Sequence, residues 1–206
     1  MPRTRNESLA QQRREDVLAA AAGVFRRKGF HAARTEEICS AARISPGTLF
    51  RHFRDKDEII AAVVETQTAV YVRLVEDAFS AQGMQAMLAL DVETLARYLA
   101  PEAGGLSSES WLELARNPAL HPLAREADQR IRKAIAAGVR AAQAAGLVRP
   151  TLDAEEAAEM LNALFSGLMF DQELSPERDL KPVARALAGL LRRYLLDQPP
   201  TTRRRR

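Results

Sequence analysis

Between Gln11 and Lys28 the apolar residues Val17, Ala21, Val24 and Phe25 recur three and four apart among polar ones. That spacing predicts an amphipathic helix, and Gly29 supplies a C-terminal stop. Thr35 predicts an N-cap, with Glu36 and Glu37 placing acid in the first turn of a second helix that ends near Ala42. After a short turn, Ser45 caps again and Pro46 takes the first helical position of a third helix. This helix is short, because Phe53-Arg54-Asp55 opens the next. Asp55 with Glu58 forms a capping-box-like pair. A long helix follows from Lys56 to about Ser80, its apolar positions including Ile59, Val63, Val70, Leu74 and Phe79.

The rest of the chain continues in the same period. Met84–Leu99 and Ser107–Arg116 are predicted helices ended by Pro101 and Pro118. A longer helix runs from Leu120 to Ala145 and stops at Gly146. Asp153 with Glu156 opens another, to about Phe170, and Arg178–Leu196 is the last. No segment alternates with period two as a strand would, and there is no internal repeat. The expected fold class is all-α. Its domains are a three-helix head over 1–56, a helical bundle over 57–197, and a basic disordered tail over 198–206.

Composition agrees and adds a partner. With 47% hydrophobic and only 5% aromatic residues in 206, a substantial core built from close-packed, alanine-rich helices is expected. The single Cys39 cannot form an intramolecular disulfide and suits a reducing cytoplasm, the expected location. No run of about 18 uncharged apolar residues could span a membrane, and Met1–Arg14 is polar and basic rather than a signal peptide. Charge is unevenly placed. Residues 1–56 hold 12 Lys/Arg against 6 Asp/Glu, whereas 57–202 hold 14 against 21, and four arginines close the chain. A basic head on an acidic body either meets a polyanion or is a solvated surface.

Three short helices with a tight turn between the second and third match a helix-turn-helix, whose last helix fits the major groove. The segment Arg34-Thr35-Glu36-Glu37-Ile38, then Ala42-Arg43-Ile44-Ser45-Pro46-Gly47-Thr48-Leu49-Phe50-Arg51-His52-Phe53 and Asp55-Lys56, closely resembles the TetR family. Trp111 to Pro118 and the Gly-Leu-Met-Phe ending at Phe170 look like the C-terminal domains of that family. The resemblance implies that Thr35 and Lys56 contact phosphates at two helix N-termini and that Gly47 and Thr48 lead the recognition helix. It implies that His52 clamps a phosphate at the far end of that helix, and that Arg51 reaches a base or a phosphate. Ser45, Pro46 and Phe50 complete the expected DNA-binding set. Two positions depart from the family: Phe50 stands where tyrosine is usual, removing one hydroxyl, and Arg43 stands where glycine is usual in the turn. Arg3, Arg5, Arg13 and Arg14 are either an arm on DNA or a solvated tail.

Chemistry that would indicate an enzyme is missing from the sequence. His31, His52 and His121 are scattered, one cysteine completes no zinc site, and there is no phosphate loop or nucleophile elbow. No catalytic residue, metal or cofactor is expected. The resemblance implies an effector pocket in the body, for which Trp111, Met160, Phe165 and Met169 are adaptable apolar candidates. Homodimerisation is expected through the last two helices, with Leu161, Leu164, Phe165, Leu168 and Met169 on one and Leu187, Leu190, Leu191, Tyr194 and Leu195 on the other. The expected function is a ligand-responsive regulator of double-stranded operator DNA, a repressor released by a small molecule, with the helix from Lys56 as the lever. The alternative is a helical ligand-binding or interaction protein that no longer binds an operator.

Overall fold

The computed structural model describes residues 3–99 and 106–196, in which every regular element is a helix. In chain order these are α1 (Arg3–Ala32), α2 (Thr35–Ala42), α3 (Pro46–His52), α4 (Lys56–Ala78), α5 (Ala81–Leu88), α6 (Val92–Leu99), α7 (Ser108–Arg116), α8 (His121–Ala144), α9 (Ala154–Leu174) and α10 (Leu180–Leu195). The side chains of Arg3 and Arg5 and the tail over 198–206 lie outside the described residues.

Local signals account for most boundaries. Ser45 accepts the Thr48 N–H at 3.2 Å with Pro46 at the first helical position, and Asp153 accepts the Glu156 N–H at 2.9 Å. Ser80 accepts the Gly83 N–H and so starts α5 rather than ending α4. The single helix expected over Met84–Leu99 is broken at Ala89–Asp91, where Asp91 accepts the Thr94 N–H at 2.7 Å and opens α6. Gly29 does not end α1 but kinks it, at φ 71° and ψ 172°, a left-handed φ that glycine tolerates without a Cβ clash. Beyond the kink, Phe30 meets Phe25 edge-on, ring centroids 4.9 Å apart.

The chain forms two compact units, 1–69 with 105–128 and 70–104 with 129–206, so the division falls inside α4 rather than at its start. In the first unit, Val17, Ala21, Val24 and Phe25 of α1 bury against Ile38, Leu49 and Phe53, with Ile59, Ile60, Val63 and Val64 of α4 and Leu114 of α7. In the second, Phe79, Met84, Leu95, Val139, Leu161, Leu187 and Leu191 form a separate core. Residues 105–128, expected in the body, thus share the core of the head.

Candidate DNA-binding interface

The turn between α2 and α3 carries the first departure from the family pattern. Arg43 adopts φ 55° and ψ 44°, the left-handed conformation. Its N–H donates to the Ser40 carbonyl at 3.2 Å, and the Ile44 N–H donates to Cys39 at 3.0 Å. These paired bonds close α2 as a Schellman motif. An arginine therefore holds a glycine conformation, and the turn keeps the shape that the helix-turn-helix requires.

Past that turn, α3 divides cleanly by burial. Leu49 and the following Phe53 are buried in the head's core, while Ser45, Pro46, Gly47, Phe50 and Arg51 are exposed and Thr48 and His52 half-buried. Phe50 is 49% exposed. The far end of α3 is braced by Arg14, whose guanidinium donates to the His52 carbonyl at 2.9 Å and lies 4.3 Å from the centroid of the Phe53 ring. Arg14, in sequence either a DNA arm or a solvated side chain, here supports the recognition helix.

Two helix N-termini flank α3, and backbone N–H groups at such ends attract phosphate. At α2 the N-cap is Arg34, in an extended conformation, and not Thr35, which is the first helical residue. The Thr35 hydroxyl is thus not spent as the cap. Glu37 reaches back to the Arg34 N–H at 3.1 Å and also pairs with Lys28. The Lys28 bond, then the Arg34 N–H, hold the Glu37 carboxyl below its ordinary range. At α4, Asp55 accepts the Glu58 N–H at 2.8 Å and Glu58 accepts the Arg54 N–H at 2.8 Å. The Arg54 N–H and side chain likewise lower the Glu58 pKa.

Lys56 is the largest surprise of the site. Its ammonium donates to the carbonyls of Phe30, Ala33 and His31 at 2.8, 3.1 and 3.3 Å. The side chain to which the resemblance assigns a phosphate donates, in the DNA-free chain, to the carbonyls that end α1. The sequence held no sign of this, because the three carbonyls come from a turn that the kink at Gly29 creates. At the first turn of α4 the Glu58 N–H is already taken by the Asp55 carboxylate. Cys39 is buried, and burial pushes its thiol pKa up, consistent with packing rather than redox chemistry.

The second unit contains a small, partly open apolar cavity of about 50 Å³. Residues from α4 (Tyr71, Val75), α6 (Tyr98), α8 (Ile135) and α9 (Phe165, Met169) help to line it, and among the described residues no charged side chain lines it. Burial raises the pKa of the Tyr71 phenol. Of the four residues suggested for an effector, Phe165 and Met169 come together here. Met160 is 38% exposed and Trp111 packs on the head's core, so neither lines this cavity. Tyr71 and Tyr98 carried no sequence signal beyond helical periodicity. Among the described residues no cluster of His, Cys, Asp or Glu could hold a metal, and no helix is long and apolar enough to cross a membrane.

An exposed helix set in a Schellman turn, between two anion-attracting helix ends and on a basic segment, defines a helix-turn-helix DNA-binding protein. Residues 17–63 match the family model for bacterial regulatory proteins, tetR family, and residues 82–198 match that for the C-terminal domain of BetI-type transcriptional repressors. The chain is 30% identical over 190 residues to the HTH-type transcriptional regulator UidR of Escherichia coli (strain K12), covering 89% of this chain and 94% of UidR. Salmonella enterica GusR is 28% identical with a TM-score of 0.63, covering 89% of this chain and 95% of that one. The SmeT–triclosan complex superposes with a TM-score of 0.65 at 24% identity, over 95% of this chain and 98% of SmeT. This chain belongs to the TetR family of bacterial transcriptional regulators.

Proposed function

We propose that this protein is a cytoplasmic, homodimeric repressor that leaves its operator when an uncharged, mostly apolar small molecule enters the cavity of the second unit. The observation that carries the effector class is that the described residues lining the cavity are apolar side chains and two tyrosines, with no charged one among them. An ionic ligand would lose its hydration there without a counter-charge, which costs several kcal/mol or more. Tyr71 and Tyr98 offer hydroxyls to orient a polar atom on an otherwise apolar molecule. SmeT, in the complex named above, holds triclosan. The protein's function is binding rather than catalysis.

DNA is read by Ser45, Pro46, Gly47, Thr48, Phe50, Arg51 and His52. Thr35 and the backbone at Lys56 hold phosphates on either side. Functionally, 1–56 reads DNA, 57–197 receives the effector and dimerises, and 198–206 is a basic tail. Dimerisation uses the α9 and α10 surface bearing Leu164, Leu168, Leu174 and Leu190, of which Leu174 and Leu190 are 70% and 45% exposed. Leu161, Leu187, Leu191 and Leu195 of the expected face are buried in the protomer's own core, and Phe165 and Met169 face the cavity. α4 is one continuous helix whose early residues Ile59 and Ile60 join the head's core and whose later Tyr71 and Val75 line the cavity. A ligand that prefers another setting of α4 lowers operator affinity, and DNA lowers ligand affinity by the same factor, typically about 5- to 150-fold.

The test begins with selection from random duplexes, which should enrich a palindrome with half-sites about one helical turn apart, or a multiple of it. Neutral Nile red, cationic rhodamine 6G and an anionic naphthalenesulfonate are then titrated onto the free protein and onto its complex with that palindrome. Nile red alone should bind tightly and displace DNA. Tighter binding of either ion would overturn the effector class, and equal affinity for selected and random DNA would overturn the operator reading.

A further inference from the structure

Glu113 is assigned no role by the sequence reading or the family resemblance, yet its carboxylate ties α7 to backbone 83 residues earlier in the chain. One oxygen accepts the backbone N–H of Phe30, and the other accepts that of His31 at 3.1 Å. Both donors follow directly on the kink at Gly29, where the backbone leaves helical geometry. A side chain at Gly29 would be strained at φ 71° and would place its Cβ 3.0 Å from the Glu113 carboxylate, which would have to shift by a few tenths of an ångström. On its carbonyl side the same turn is held by the Lys56 ammonium, through Phe30, His31 and Ala33.

The consequence is geometric. The turn at 30–33 leads after one further residue into the N-terminus of α2, and through Lys56 it is bonded to the N-terminus of α4. These are the two helix ends that flank the recognition helix. Phosphates on a duplex are fixed in spacing, so whatever sets those ends relative to each other sets the fit to DNA. We propose that Glu113 is a positioning residue for operator binding: seated on the Phe30 and His31 N–H groups, it fixes the turn that spaces the α2 and α4 N-termini, without touching DNA. The proposal rests on the DNA-binding reading. Failure of that reading would appear separately, as a wild-type chain with no preferred sequence.

Glu113→Gln tests it with little change of shape. The amide retains one acceptor oxygen but turns an NH₂ toward the second backbone donor. Binding is measured by fluorescence anisotropy, well below the melting transition, on the selected palindrome and on a random duplex of equal length. The palindrome Kd should rise about 10-fold, the size of one charge-assisted hydrogen bond, while random-duplex affinity, set by phosphate contacts in which Glu113 takes no part, does not fall. Amide exchange at Phe30 and His31 should quicken in the same variant. Gly29→Ala should weaken palindrome binding in the same direction. Combined with Glu113→Gln it should add little, since both break one contact. Wild-type palindrome affinity in Glu113→Gln would overturn the proposal. So would an equal loss on both duplexes, or a loss accompanied by unchanged exchange at Phe30 and His31. If Gly29→Ala does not fold, the Glu113→Gln measurements decide alone.

Discussion

The two units of this protein hold their shape by different physical means. In the head, charged side chains repeatedly grip backbone: Arg14 on His52, Glu37 on Arg34, Glu58 on Arg54, Lys56 on three carbonyls and Glu113 on two N–H groups. Around the cavity of the second unit the lining is aliphatic, Met, Phe and two tyrosines, and the fewer side chains that grip backbone there, Gln143, Arg149 and Arg192, hold carbonyls of the α8–α9 loop, of Tyr194 and of Leu88. Hydrogen bonds are directional, and hydrophobic burial is not. A surface that must match fixed phosphates uses directional ties. A cavity for an apolar molecule needs adaptable walls and little direction.

Breaking the apolar side should give the largest effect. Leu191 is fully buried in the second core, and Leu191→Ala should cost about 2–5 kcal/mol, read by urea unfolding. A loss below about 1 kcal/mol would show that this core is looser than its burial indicates. Lys56→Met is the corresponding lesion in the head. It keeps most of the aliphatic stem but leaves three carbonyls without their donor, at about 1–3 kcal/mol. It also sharpens the contrast between an internal tie and a DNA contact. An internal Lys56 leaves the dependence of log K on log salt unchanged on mutation, whereas a phosphate contact would reduce that slope by about one. The smallest effect belongs to Arg43→Gly. Relieving a left-handed φ gains about 1–2 kcal/mol, partly offset by the freer unfolded chain, for a net of about 0–1 kcal/mol toward stability. A thermal melt showing a clear loss would mean that the Arg43 side chain makes a stabilising contact.

Legibility in sequence followed the range of the interaction. Ser45-Pro46, Asp55-Glu58 and Asp153-Glu156 were readable because a cap acts within one helical turn. The family segment over 34–56 was readable for the same reason: its turn, caps and core positions are contiguous. Thr35 was misplaced by one residue because Arg34 takes the cap through its backbone alone, with Glu37 closing it from within the helix. Gly29 looked like a stop since sequence shows the freedom of a glycine but not whether another helix will catch the chain beyond it. The catching groups, Glu113 and Lys56, lie 83 and 26 residues away from Phe30, beyond any local pattern. Trp111 suggested an effector site by residue type, but α7 packs its apolar side on the head.

Amide hydrogen exchange measured region by region tests the division of labour most directly, with the free protein, the complex with the selected palindrome and the complex with Nile red compared. The account predicts that the palindrome slows exchange chiefly over 34–56, and that Nile red slows it chiefly over 71–98 and 135–169. Protection of 34–56 by Nile red with none over 71–98 and 135–169, or palindrome protection confined to the second unit, would contradict it.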